Sequence, residues 1–182
     1  MMEGSPIKPE TREAFPEIAG ELDVMAQADQ AMRTGIHEGK LGNPKIDEQN
    51  TKRMKEIVAE IGWPTISKVG KTASYNAWVL VQHADHDVPF QAYCLQLLKE
   101  APPYDIDPEN LAYLEDRVRV NQGRPQLYGT QFDQIDNQHV PYPIEDIYDV
   151  DARRAAFGMK SLQAEIDMMY QMYPFDTTDS KP

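Results

Sequence analysis

Gln82, His83, Asp85, His86 and Asp87 crowd the end of an almost uninterrupted apolar run, ASYNAWVLVQHADHD, from Ala73 to Asp87. Imidazoles and carboxylates so close together can move protons or bind a metal. The run is too short to cross a membrane, which takes about twenty apolar positions. It reads instead as a buried helix with a polar cluster at its C-terminal end, where desolvation demands partners for each charge. On a helix, positions 76, 79, 80, 83 and 87 share a face, so Asn76, His83 and Asp87 form a polar line beside Val79 and Leu80. An Asp four residues on could orient the His83 ring as a general base requires. The plainer alternative is a histidine capping the helix C-terminus, satisfied by carbonyls and favoured by the dipole. A metal is a further alternative. His83, His86 and Asp87, at i, i+3 and i+4, could point at one ion. The zincin pattern is absent, and His37 and His139, the other available ligands, fall in expected loops.

A second group lies in RPQLYGTQ, Arg124 to Gln131. Gln126, Tyr128, Thr130 and Gln131 offer neutral donors and acceptors that could orient a polar small molecule, and Gly129 permits close approach. The same side chains could equally satisfy buried backbone in a hairpin. Asp29 lies on an apolar stripe with Arg33 at i+4. An internal ion pair is the simpler role; the alternative is an Arg33 that binds a carboxylate or phosphate bidentately. Cys94 sits on an apolar stripe and reads as core, with no adjacent histidine to activate it. Asp116 with Arg117, and Arg153 with Arg154, read as surface or interface charges.

The elements that must position these residues are mostly helical. Pro16 opens a helix to about Thr34 on the stripe Ile18, Leu22, Met25 and Met32. A second covers Asp47 to Ile61 and stops at Gly62-Trp63-Pro64-Thr65. Ile66 to Thr72 reads as a loop, followed by the buried helix from about Lys71 to Ala84. Pro89 begins the next helix, ended by Pro102-Pro103. Asp107-Pro108 gives an N-cap and a first-turn proline for a helix toward Asn121. From Gly123 the helical period disappears, and residues 124–143 read as a short hairpin or ordered loop, with Pro141 and Pro143 confining a second strand to an edge. Val150 to Phe157 and Ser161 to Tyr173 are short helices. The expectation is a mainly α, single compact domain of about six helices over residues 15–173, with flexible tails at 1–14 and 174–182.

Composition narrows the function. The chain has 182 residues and a formal net charge of −12. That balance opposes nonspecific attraction to nucleic acid or an anionic membrane and suits a basic protein partner. One cysteine excludes an intrachain disulfide and a Cys-rich zinc site. No signal peptide or membrane segment is evident, so a cytoplasmic protein is expected. With neither a phosphate loop nor a dinucleotide fingerprint, no cofactor is expected.

Taken jointly, Asp29-Gln30-x-x-Arg33, Gly62-Trp63-Pro64-Thr65, Val69-Gly70, Gln82-His83-Ala84-Asp85, Asp116-Arg117-Val118 and Gln126-x-Tyr128-Gly129-Thr130-Gln131 resemble the motif string of a widespread bacterial family, a domain of unknown function. The resemblance runs from about residue 20 to about residue 170. It implies that GWPT, QHAD and YGTQ are the marked segments, and it ties His86 in less closely than His83. It implies no reaction. Resemblance and chemistry together nominate His83, Asp87 and Tyr128 as catalytic groups. Trp63 would be an aromatic wall, with Gln82, Gln126, Thr130, Gln131 and Arg33 contacting a polar small molecule or peptide-like substrate. Hydrolysis, elimination or cyclisation would suit a metal-free histidine site. Two other readings stand beside it: a noncatalytic acidic binding or immunity-type module, and a metal-dependent hydrolase through His83, His86 and Asp87.

Overall fold

The computed structural model describes residues 14–174 except 40 and 137, and not the side chain of His37. It is mainly helical. Among the described residues the helices are α1 (Pro16–His37), α2 (Pro44–Ile61), α3 (Ile66–Gln82), α4 (Val88–Glu100), α5 (Pro108–Asn121), α6 (Val150–Ala156) and α7 (Leu162–Met172). A single antiparallel hairpin, β1 (Phe132–Ile135) with β2 (Gln138–Pro141), stands between α5 and α6. The tails expected at 1–14 and 174–182 lie outside the described residues apart from Ala14 and Pro174. No described helix is long and apolar enough to cross a membrane.

Helical periodicity explains the main core. Ile18, Ala19 and Leu22 of α1 share one core with Met54, Ile57, Val58 and Ile61 of α2 and with Val69, Ala73, Ala77, Leu80 and Val81 of α3. α3 is thus enclosed on most faces, as an apolar run without polar alternation requires. Its most extensive neighbour is α1, while α4 packs chiefly on α5. Polar ties reinforce the layers: Asn76 Nδ2 donates to Asp23 Oδ1 at 2.8 Å, and Arg53 of α2 grips Glu21 of α1.

Two helix starts differ from the sequence expectation. α2 begins at Pro44, not Asp47, because Asn43 accepts from Lys45 N and the proline occupies the first turn. α3 begins at Ile66, within the expected loop, because Asp105 accepts from Ser67 N at 2.6 Å and from Ser67 Oγ at 2.7 Å. Gly70, at φ 81° and ψ 163°, then breaks the helix, and a fresh run starts at Lys71, where periodicity placed it.

The segment after Gly123 is both loop and hairpin. Asp116 of α5 is fully buried and accepts from the backbone N–H groups of Leu127, Tyr128 and Thr130 and from Thr130 Oγ1. The surface role expected for Asp116 is therefore wrong: it fastens this loop. Burial pushes its carboxyl pKa up despite those four donors. Arg154, also expected at the surface, is completely buried and donates to Tyr128 O, Lys160 O and Glu165 Oε2 at 2.6, 2.5 and 2.8 Å. Tyr113 Oη completes the group with a 2.8 Å bond to Glu165. A small second core of Ala112, Tyr128 and Met159 sits beside it.

Candidate functional site

α3 ends at Gln82, leaving His83 as its C-cap with φ −88° and ψ 1°. The next residues turn, and Asp87 becomes the N-cap of α4, its carboxylate accepting from Phe90 N at 3.2 Å and pairing with Lys55 at 2.5 Å. Helical spacing from His83 to Asp87 is lost at that turn. Asp87 therefore does not orient the His83 ring, as the i+4 argument expected. The partner is Asp29 of α1, whose oxygens lie 3.0 and 2.9 Å from His83 Nδ1. Nor does the ring cap the end of α3. Gln91 Nε2 takes that role, reaching the carbonyls of Val81 and Gln82 at 3.1 and 3.3 Å.

Arg33, one turn beyond Asp29, closes the cluster. Its Nη2 lies 3.1 Å from Asp29 Oδ1 and 2.7 Å from Asp47 Oδ1 of α2. Its Nε is 3.3 Å from both Asp29 oxygens and 2.9 Å from His83 Nδ1. Nδ1 cannot both accept from Arg33 and donate to Asp29. Acceptance would set its lone pair against a carboxylate, whereas Nδ1–H donation leaves the Arg33 Nε–H directed at the same oxygens. Donation to Asp29 satisfies every group. The Nε2 lone pair of a neutral ring is then available, and Nε2 has no hydrogen-bond partner among the described residues. Burial raises the carboxyl of Asp29, which is completely enclosed, but bonds from His83 and Arg33 outweigh this and hold it below the usual range. Asp47, less well paired, is raised by its own burial.

The His83 ring borders a cleft of about 250 Å³ that Arg33, Asp47, Asp85, His86 and Arg117 also line. Asp85 pairs with Arg117 and accepts from Asn121 at 2.8 Å and Gln91 at 3.1 Å. Desolvation opposes its ionisation, but Arg117, Asn121 and Gln91 hold its carboxyl low. Each arginine is already engaged by carboxylate, so the cleft offers polar contacts without a free excess of positive charge. Among the described residues no Ser, Thr or Cys lines it. An imidazole with one nitrogen fixed and the other open could accept a proton from water or from a polar substrate.

Of the residues nominated from sequence, His83 and Arg33 meet here. Gln131 touches the margin by accepting from Arg117 Nη1 at 3.0 Å. The others are elsewhere. Trp63 is buried in the main core, so it cannot wall a cleft. Gln82 is buried, its amide oxygen satisfying Trp78 Nε1 and Leu114 N. Gln126 is fully enclosed, bonding the carbonyls of Gln131 and Tyr142 and accepting from Gln131 N. Thr130 is bound to Asp116, and Tyr128 packs edge-on against Phe157, burial pushing its phenol pKa up. Gln126 thus satisfies buried backbone, the alternative left open for this segment, while Thr130 and Tyr128 are taken up by the Asp116 carboxylate and the Phe157 ring. The His83, His86 and Asp87 metal set is not assembled either: His83 faces Asp29, and Asp87 faces Lys55. Among the described residues no three His, Cys, Asp or Glu side chains are grouped to hold an ion. His37 ends α1 and His139 lies in β2, not in loops.

Sequence reasoning flagged Asp29 as an acid on an apolar stripe but assigned only Arg33 to it. Asp47 was read only as a helix start, and Arg117 only as a surface charge within the Asp116-Arg117-Val118 motif. Asp87 carried a local signal, since Asp87-Val88-Pro89 is an N-cap followed by an early proline.

Fold and cleft together define a small helical protein with a histidine–carboxylate pair at the junction of three helices. The chain belongs to the Family of unknown function (DUF6624), whose model matches residues 16–177. No curated protein and no solved structure matches it.

Proposed function

We propose that this protein is a small cytoplasmic enzyme that uses His83 as general acid/base on a polar small molecule or peptide-like substrate. The single observation that carries this reading is the asymmetry of the His83 ring, with Nδ1 tied to a fully buried Asp29 and Nε2 without a partner among the described residues beside an open cleft. Asp29 fixes the tautomer and stabilises the imidazolium formed when Nε2 takes a proton. With no hydroxyl or thiol among the described residues that line the cleft, the base acts on water or on a substrate proton. Hydrolysis, elimination and cyclisation all fit. Asp47, Glu48 and Asp85 outnumber Arg33 and Arg117 along the cleft, which suits a neutral or cationic polar group rather than an anion.

The test is turnover. Wild-type protein is incubated with a panel of dipeptides, amides, esters and lactams, and the products are followed by proton NMR. At least one compound is consumed, and His83→Gln lowers the rate about 10²–10⁴-fold with the circular dichroism spectrum unchanged. A rate indifferent to His83→Gln, or no turnover across the panel, would sink the proposal.

The formal charge of −12 supports a second reading, a noncatalytic module that docks a basic protein. There the His83–Asp29–Arg33 cluster only clamps α1 to α3. That version predicts salt-sensitive association that survives His83→Gln.

A further inference from the structure

A second cleft lies just past the break at Gly70, at the opposite end of α3 from His83 and roughly 18 Å away along the helix. It measures about 280 Å³ and is lined by Ile66, Lys71, Thr72, Ser74, Tyr75 and Asn110. Three observations converge on it. Lys71 opens the helical run that follows Gly70, so the first-turn amides of residues 71–73 belong to a helix start, where N–H groups lack i−4 acceptors within the run and favour an anion. Ser74 is 7 % exposed, yet its hydroxyl has no hydrogen-bond partner among the described residues and is not sealed off, so it opens onto the cleft. A hydroxyl this enclosed, open only to the cleft and without a partner among the described residues, is placed to donate to a ligand seated there. Lys71 likewise forms no ion pair among the described residues, and Thr72 and Asn110 make no side-chain hydrogen bond there.

The remaining walls are apolar. Ile66 forms one, and the half-exposed Tyr75 ring forms another, held by Trp78 at 5.3 Å between centroids. Asp107 also borders the cleft, its Oδ1 accepting from Glu109 N at 3.0 Å. Its negative charge disfavours a doubly charged phosphate while a single carboxylate can still reach Lys71.

We propose that this cleft is a second ligand site, which takes a small carboxylate with an apolar or aromatic body. The carboxylate is held by Lys71, Ser74 and the helix start, and the body lies between Ile66 and Tyr75. This assignment is independent of the chemistry at His83.

The probe is 3-phenylpropanoate, titrated into the ¹⁵N-labelled full chain, with 3-phenylpropanamide and inorganic phosphate as comparisons. Saturable shifts are expected at the amides of residues 71–75 and at Asn110. Lys71→Gln and Ser74→Ala should each weaken binding about tenfold. Both are small changes, and Lys71 is exposed, so neither threatens the fold. The proposal is overturned by the absence of saturable binding, by equal binding of the uncharged amide, by tighter binding of phosphate, or by shifts centred on His83.

Discussion

At Asp29 two opposing effects meet: complete burial raises its carboxyl, while hydrogen bonds from His83 and Arg33 lower it by more. The sign of the pH dependence follows. A folded pKa below the unfolded value of about 3.9 means stabilisation that is present above that value and lost as pH falls through the folded one. Asp47 works in the opposite direction, because burial raises it. Urea midpoints measured from about pH 5 to about pH 2.5 should therefore fall less steeply in Asp29→Asn than in the wild type. Identical slopes would show that the carboxylate is not paired as described. At neutral pH, Asp29→Asn should cost about 2–4 kcal/mol, below the full figure for breaking a buried ion pair because Arg33 and His83 are partly exposed. Imidazole ¹⁵N shifts should place the neutral-ring proton of His83 on Nδ1; a proton on Nε2 would remove the open base. Sequence reasoning found His83, Arg33 and the misfit acid Asp29 but joined His83 to Asp87. The true partner lies 54 residues away, and no local spacing encodes that distance.

At the scale of elements, periodicity and caps located the helices. The start of α2 was placed late although its Asn43-Pro44 cap is local, and the start of α3 because a distant residue does the capping. In the first turn of α3, Asp105, 38 residues on, satisfies Ser67, so nothing near Ile66 announces a helix. The YGTQ loop failed for a related reason. Its polar side chains looked available because Asp116 and Arg154, which engage its backbone, read as surface charges until tertiary contacts were known. Gly129 in this loop adopts φ +70°, and an added Cβ would come 2.6 Å from Leu162 Cδ1 and 3.0 Å from Ile144 Cδ1. Those side-chain ends can shift, so the left-handed backbone sets the penalty: Gly129→Ala should lose about 1–2 kcal/mol by thermal melting. Arg154→Ala should be harsher, about 3–5 kcal/mol, since it leaves Glu165 without its guanidinium partner and the Tyr128 carbonyl without a donor. A melting temperature unchanged by Arg154→Ala would contradict the buried pair.

For the whole molecule, charge was fully legible and arrangement was not. A net charge of −12 can be counted, and it implies self-repulsion in the folded chain. Raising NaCl from about 10 mM to about 200 mM should raise the melting temperature by screening that repulsion. A decrease would mean that ion pairs such as Arg53–Glu21 and Arg117–Asp85 outweigh it. Which helices would meet was not countable, and the cleft depends on it: Asp29 comes from α1, Asp47 from α2 and His83 from the end of α3. This shared origin makes the site a proofreader of its own assembly. A chain in which α3, α4 and α5 have docked but α1 has not would carry His83 without its carboxylate. Because α1 is the most extensive neighbour of α3 and shares its core, the His83–Asp29 pair should be lost in denaturant together with the core and not ahead of it.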